Sequence, residues 1–315
     1  MEYSHIPVML KEVLEGLSVK PGQKVIDCTL GGAGYTLVLS NQVGPRGTVL
    51  AIDLDDLAIT NAQQKIKEQN ISNIVLVQDN FRNLQQIIAD NFPAGTLFDS
   101  VVMDLGLSSA QLADDTRGFS FQGDRPLDMA FNQDLHTAIA TTTIINRYTL
   151  EKLTRIFREY GEEPKAYVLA KTIIEKRKGN WIKTTGQLLE IISTVLKPNP
   201  KSRINPATKV FQALRMETNR ELEALKEVLP VAFDLLQSGG RLAVVSFHSG
   251  EDRIVKEFFK KESRDCLCPS SAPLCVCGHV ATLKMLSKKP ISATADESND
   301  NPRARSAKLR LAQKI

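Results

Sequence analysis

The chain has 315 residues, 42% of them hydrophobic and 24% charged, with a formal net charge of +4. That balance suits a globular protein with a sizeable core and room for two domains, and it excludes a disordered or low-complexity chain. No apolar run approaches the roughly 20 residues of a membrane-spanning helix, and "MEYSHIPVML" lacks the basic-then-apolar pattern of a signal peptide, so a cytoplasmic protein is expected.

The charge is unevenly spread. Residues 1–150 hold 10 Lys/Arg against 17 Asp/Glu, a net of −7. Residues 151–220 hold 15 against 7, a net of +8, and residues 251–315 hold 13 against 8, a net of +5. Such polarity points to an anionic partner approaching one side.

Along the first hundred residues, strand and helix patterns alternate. "KVIDCTL", "GTVLAIDLD", "NIVLVQDN" and "LFDSVVMDLG" read as four strands. Between them lie a helix from about Tyr35, the amphipathic "DDLAITNAQQKIKEQN" and "FRNLQQIIADNF". This alternation predicts a parallel sheet covered by helices on both faces. From about Ser109 to Pro206 only helical patterns follow, among them "LEKLTRIFREYG" and "EPKAYVLAKTIIEKRKG", with apolar residues at three-and-four spacing. Then "NRELEALKEVLPVAFDLLQSGG" reads as a long helix with a glycine stop, "RLAVVSFHS" as a strand, "EDRIVKEFFKKE" as a helix and "SAKLRLAQ" as a last strand. The polar "SATADESNDNPR" reads as a mobile loop. The simplest account is a helical domain inserted into an α/β sheet after its fourth strand.

In a parallel sheet, ligands bind beyond the carboxyl ends of the strands. After the first strand comes "DCTLGGAG", where Gly31, Gly32 and Gly34 allow close backbone approach. After the second comes Asp53, 19 residues past Gly34, placed to accept from ribose hydroxyls. After the third come Asp79, Asn80 and Phe81, able to hold an amino-substituted ring by polar edge and aromatic face. These ends together suggest an adenosine-containing ligand. A dinucleotide fingerprint is incomplete, because Leu37 stands where its third glycine belongs. Asp27 would repel a phosphate and suit the ammonium of an amino-acid moiety. S-adenosylmethionine is therefore favoured over a nicotinamide cofactor.

After the fourth strand the chain reads "DLGLSSAQLADDTRGFSFQGDRPLDM". With "HIPVMLKEVLEGL", "YGEEPKA", "NPATKVFQALRMETNREL", "GGRLAVVSFHSGEDRIVK" and "NPRARSAKLR", it resembles the bacterial small-subunit ribosomal RNA (cytosine-N4) methyltransferase H family over nearly the whole chain. The resemblance implies a class I (Rossmann-like) S-adenosylmethionine-dependent methyltransferase sheet, residues 1–110 and 207–315, with an inserted all-helical RNA-recognition domain over residues 111–206. It implies methylation of N4 of a cytidine in the decoding region of 16S ribosomal RNA, with the small ribosomal subunit as partner and no membrane; a homodimer is left open. It implies that Ala33, Gly34 and Tyr35 line the methionine part of the cofactor, that Asp53 takes the ribose, that Phe81 contacts the adenine, and that Asp104 and Gln111 complete the site. The family usually carries Gly-Gly-His where this chain has Ala33-Gly34-Tyr35; a tyrosine can donate a hydrogen bond but cannot act as an imidazole.

The cytosine amino group is a poor nucleophile, so an acceptor for an N4 hydrogen is needed; Asp104, or a backbone carbonyl beside Leu105, is the candidate. A base drawn from its stack needs a platform. Phe119 and Phe121 offer one, or else anchor the inserted domain. His248 either orients the base or is a structural histidine. RNA contact is expected from Lys176, Arg177, Lys178, Lys201, Arg203, Lys209, Arg303 and Arg305. No metal is assigned to this site. Cys266, Cys268, Cys275 and Cys277, spaced C-x-C-x6-C-x-C, could supply four thiolates to a structural zinc away from catalysis, although the spacing departs from the usual C-x2-C pairs. Two rivals remain: a nicotinamide oxidoreductase, and a non-enzymatic RNA-binding assembly factor in which the strand-end carboxylates are dispensable.

Overall fold

The computed structural model describes residues 7–315 apart from 109, 110, 113, 115, 133–138, 198–204, 270, 271 and 273. Short apolar runs form β1 (Lys24–Asp27), β2 (Thr48–Asp53), β3 (Ile74–Gln78) and β4 (Phe98–Asp104). Around them lie α1 (Leu10–Leu17), α2 (Gly34–Val43), α3 (Asp56–Glu68) and α4 (Leu84–Asn91). Next come α5 (Thr141–Arg147), α6 (Leu150–Glu159), α7 (Ala166–Arg177), α8 (Thr185–Val195) and α9 (Pro206–Asn219). The chain then forms α10 (Glu221–Asp234), β5 (Leu236–Ser246), α11 (Ser249–Glu262), β6 (Leu283–Met285), β7 (Ile291–Ser292), α12 (Ala295–Asp300) and β8 (Lys308–Lys314).

The strands form one sheet in the order β3-β2-β1-β4-β5-β8-β6, with β7 pairing β8 outside that path. The pairs from β3 through β5 are parallel, and β8 runs antiparallel between β5 and β6. Period-2 alternation sends neighbouring residues to opposite layers. Ile26, Val101, Met103 and Val244 pack with Leu84, Val228 and Phe259. Val25, Val102 and Val245 pack on the other face with Val13, Leu39 and Leu311. Burial on both faces explains why these strands are almost wholly apolar.

The chain divides into two compact units, Met1–Ser108 with Glu223–Ile315, and Ser109–Leu222. Helix α9 falls in the second unit, whereas the sequence placed residues from 207 with the sheet. The reason lies in its contacts. Phe211 meets Phe121 edge-on at 5.3 Å. Asn219 accepts from Phe131 N at 2.9 Å and donates to Met129 O at 2.8 Å. Two further expectations are corrected. The helix expected to run from Asn219 to the glycine pair is interrupted at Arg220, which is left-handed (φ 51°), and gives way to strand at Leu236. The stretch expected to be a mobile loop contains α12, capped by the Thr294 hydroxyl accepting from Glu297 N, and is tied to the rest of its unit by Met9 N donating to Glu297 Oε1 at 2.6 Å.

Candidate active site

Three carboxylates end adjacent strands, and the loops beyond are built around them. Asp27, at the end of β1, is fully buried; its oxygens accept from Thr29 N (3.1 Å) and the Thr36 hydroxyl (2.6 Å). Thr29 also accepts from Asp104 N at 2.7 Å, which fastens the end of β4 to the end of β1. Asp53, at the end of β2, accepts from Gly31 N (2.8 Å) and Asp55 N (2.9 Å), so it braces the glycine turn against its neighbour. Gly31 stands at φ 48°, a left-handed conformation that favours glycine. A Cβ at Gly34 would lie 2.2 Å from Pro7 Cγ, so no larger residue fits there without movement.

Asp104 differs from the other two carboxylates. Its Oδ1 is buried and accepts no hydrogen bond among the described residues. Burial first, then the charge of Asp27, lifts its pKa from 3.8 to about 8; Arg303 acts in the opposite direction. Asp53 is lifted by burial to about 6, its two backbone donors restraining the rise. Burial also raises Asp27, against its bonds to Thr36 and Thr29. An unpartnered buried carboxyl oxygen is costly, and costs of this kind collect where a ligand supplies the missing partner.

The remaining expected residues are placed as follows. Ala33 is buried, left-handed (φ 65°), and begins α2. Tyr35 is buried in the core, its hydroxyl donating to Val8 O, so this side chain faces the N-terminal segment. Asp27, read from sequence as a partner for an ammonium group, has its carboxylate turned inward onto Thr29 and Thr36. Phe81 is half-buried against the main core, in a turn held by Asp79 and Asn80: Asp79 Oδ1 accepts from Asn83 Nδ2 (2.8 Å) and Asn80 Oδ1 from Arg82 N (3.0 Å). His248 caps α11: its Nδ1 accepts from Gly250 N (3.1 Å) and Glu251 N (3.3 Å), and its Nε2 lies 3.0 Å from Glu251 Oε1. An accepting Nδ1 puts the proton of the neutral ring on Nε2, facing that carboxylate. Ala33, Gly34, Tyr35, Asp53, Phe81, Asp104 and His248 all belong to the first unit, and Gln111, which is buried, belongs to the second.

Some expected RNA contacts have structural employment. Arg177 donates to Ile145 O (2.6 Å) and Tyr148 O (2.7 Å), closing the C-terminal end of α5. Arg303 is half-buried, its charge acting on Asp104. Phe119 stacks on Phe131 at 5.8 Å, and with the Phe121–Phe211 pair it packs inside the helical unit. Lys201 and Arg203 lie outside the described residues. The sequence reading missed Glu251, whose Oε2 accepts from Phe247 N at 2.8 Å, and the buried pair of Arg310 with Asp252, bonded at 2.7 and 3.1 Å. The spacing of His248 and Glu251, three apart at the start of an apolar-periodic run, was the available signal for the first.

A sheet ordered 3-2-1-4-5 and continued by the antiparallel strand β8, with carboxylates ending β1, β2 and β4, defines a class I methyltransferase. The MraW methylase family matches residues 2–315, and the chain belongs to that family. A relative from Thermomicrobium roseum named ribosomal RNA small subunit methyltransferase H is 43% identical over 312 residues, 99% of this chain and 94% of its own. A protein of the same name from Caldicellulosiruptor saccharolyticus is 43% identical over 313 residues, 99% of this chain and all of its own. Among solved structures, a putative rRNA-methylase from Clostridium thermocellum aligns over 99% of this chain and all of its own with a TM-score of 0.47 at 16% identity.

Proposed function

We propose that the protein transfers a methyl group from S-adenosylmethionine to the N4 amino group of a cytidine in the decoding region of 16S ribosomal RNA, within the small ribosomal subunit. The observation that carries this reading is the buried Oδ1 of Asp104 at the end of the central strand β4, which has no hydrogen-bond partner among the described residues. The donor set fits the cofactor: the carboxyl groups of Asp53 and Asp104 suit a ligand that brings hydroxyl donors and positive charge, and they repel a pyrophosphate. When bound, S-adenosylmethionine supplies a methyl group activated by the positive sulfur.

Asp53 keeps lone pairs on both oxygens for the ribose hydroxyls while its backbone donors hold it in place. Ala33 and Gly34 bring backbone close to the methionine end, and Tyr35 secures that turn from beneath through Val8. Phe81 offers an apolar face to the adenine. Asp104 Oδ1 would accept a hydrogen from N4 of the target, localising the nitrogen lone pair towards the methyl group, and would take that proton as positive charge develops on the nitrogen. His248 holds the start of α11 at the end of β5 and acts as a positioning residue. The helical unit contributes RNA affinity through exposed lysines, including Lys176, Lys178 and Lys209.

The test is transfer of a labelled methyl group to small ribosomal subunits from cells lacking the activity, followed by digestion to nucleosides and mass analysis. N4-methylcytidine, or its 2′-O-methylated form, at one site is expected. No transfer by protein that binds the cofactor, across both subunits and naked RNA, overturns the assignment of substrate.

A further inference from the structure

Between α11 and β6 the chain runs from Ser263 to Thr282 without helix or strand among its described residues. Its apolar side chains make no core: Leu274 is 78% exposed and Val276 87%. The cysteines do the opposite and converge. The sulfurs of Cys266, Cys268, Cys275 and Cys277 all lie within 4.8 Å of one another. The Cys266–Cys275 separation is 3.3 Å, Cys275–Cys277 3.6 Å and Cys266–Cys277 3.8 Å.

We propose that these four thiols form a structural zinc site. A tetrahedron with Zn–S bonds of about 2.3 Å has sulfur–sulfur edges of about 3.8 Å, close to the separations found here. Disulfide pairing would draw two sulfurs to about 2.0 Å and leave the cluster as two independent bridges. Backbone donors already point at the sulfurs: Leu267 N to Cys277 (3.3 Å), Cys268 N to Cys266 (3.4 Å) and Val276 N to Cys268 (3.5 Å). N–H groups of this kind stabilise the negative charge that a dication leaves on four thiolates. At its base the stretch is closed by Thr282 N donating to Glu262 O (2.9 Å) and by His279 Nε2 against Lys261 O (3.1 Å). A stretch whose described residues make no core needs a cross-link, and a metal held by two C-x-C turns supplies one. On binding, each thiol releases its proton to solvent and donates a sulfur lone pair to the metal; nothing is oxidised or reduced.

The full-length protein, purified under reducing conditions and reconstituted with zinc, is analysed for metal content and thiol reactivity. About one zinc per chain is expected, with the four thiols shielded until a chelator removes the metal and trypsin cleavage after Arg264 speeding up once it is gone. Cobalt in place of zinc should show the intense visible bands of a tetrahedral tetrathiolate. Cys266→Ser and Cys275→Ser should lose the metal, whereas Cys28→Ser keeps it. Should those variants fail to fold, the cobalt spectrum of the parent protein decides. Four freely reactive thiols with no bound metal after reconstitution, or two disulfides in the isolated protein, overturn the site.

Discussion

Asp104 is the strand-end carboxyl whose buried Oδ1 accepts no hydrogen bond among the described residues, and under the proposed function it is the proton acceptor. With its pKa lifted to about 8, the folded protein holds a proton that an unfolded chain releases near 3.8. Stability is therefore greatest below the lower value and is lost as pH rises through the upper one. Asp104→Asn should lose less Tm than the parent protein between about pH 5 and pH 8, measured without cofactor. In the same variant, turnover should fall by about 10²–10⁴-fold, and the rise of kcat/KM with pH centred near 8 should vanish. A variant that kept both the turnover and the rise would remove Asp104 as proton acceptor. His248 makes a contrasting prediction. As a helix cap its loss to Ala should cost about 1 kcal/mol of stability, while His248→Asn, which can also cap, should restore most of it, as read by denaturant titration. Sequence alone found both residues at strand ends but could not separate their roles. That distinction lies in which atoms already have partners, and partners are supplied by residues such as Thr29 and Glu251, far away or on another turn.

Elements were legible where one signal dominated. The strands holding Ile26, Leu50, Val102 and Val244 are apolar on both faces and stood out against the amphipathic helices between them. The segments that misled had competing signals. Leu236–Gly240 carries a glycine pair that reads as a helix stop, yet β5 pairs with β4 at Leu236 and again from Arg241, and the glycines lie in the irregular stretch between those pairings. Residues 295–300 are polar throughout, yet Thr294 caps them and Glu297 anchors them to Met9. Arg310 in β8 carries no sequence signal of its partner, yet it is 7% exposed and bonded to Asp252 of α11. Breaking a buried pair leaves the Asp252 charge with only the longer contact to Lys308 (3.6 Å), so Arg310→Ala should destabilise the first unit by about 3 kcal/mol, while replacing both partners with apolar residues should cost much less. A double-mutant cycle in urea checks this.

At the scale of the molecule, the charge asymmetry sets an expectation for binding. Residues 151–220 carry a net +8, and the whole range falls within the helical unit. Lys176→Gln with Lys178→Gln should lower the slope of log affinity against log salt by about 1 to 2 for ribosomal RNA and leave cofactor affinity unchanged. An unaltered slope would move the RNA contact off this helix end. The insertion itself was readable as the place where strand patterns stop; its far boundary was not, because α9 has the same helical period whichever unit it packs against.

The order of strands in the sheet also fixes an order in time. β4 leaves the ribosome at Asp104, but its partner β5 begins only at Leu236, and β6 must wait for β8, complete at Lys314, before it can join. The helical unit, closed by residue 222, can fold in that interval from contacts that are mostly within itself. Throughout it, the apolar edge of β4 around Val101–Met103 stands unpaired on a nascent chain, the kind of edge that other chains capture. Slower synthesis across the insert should therefore lower the soluble yield of this protein.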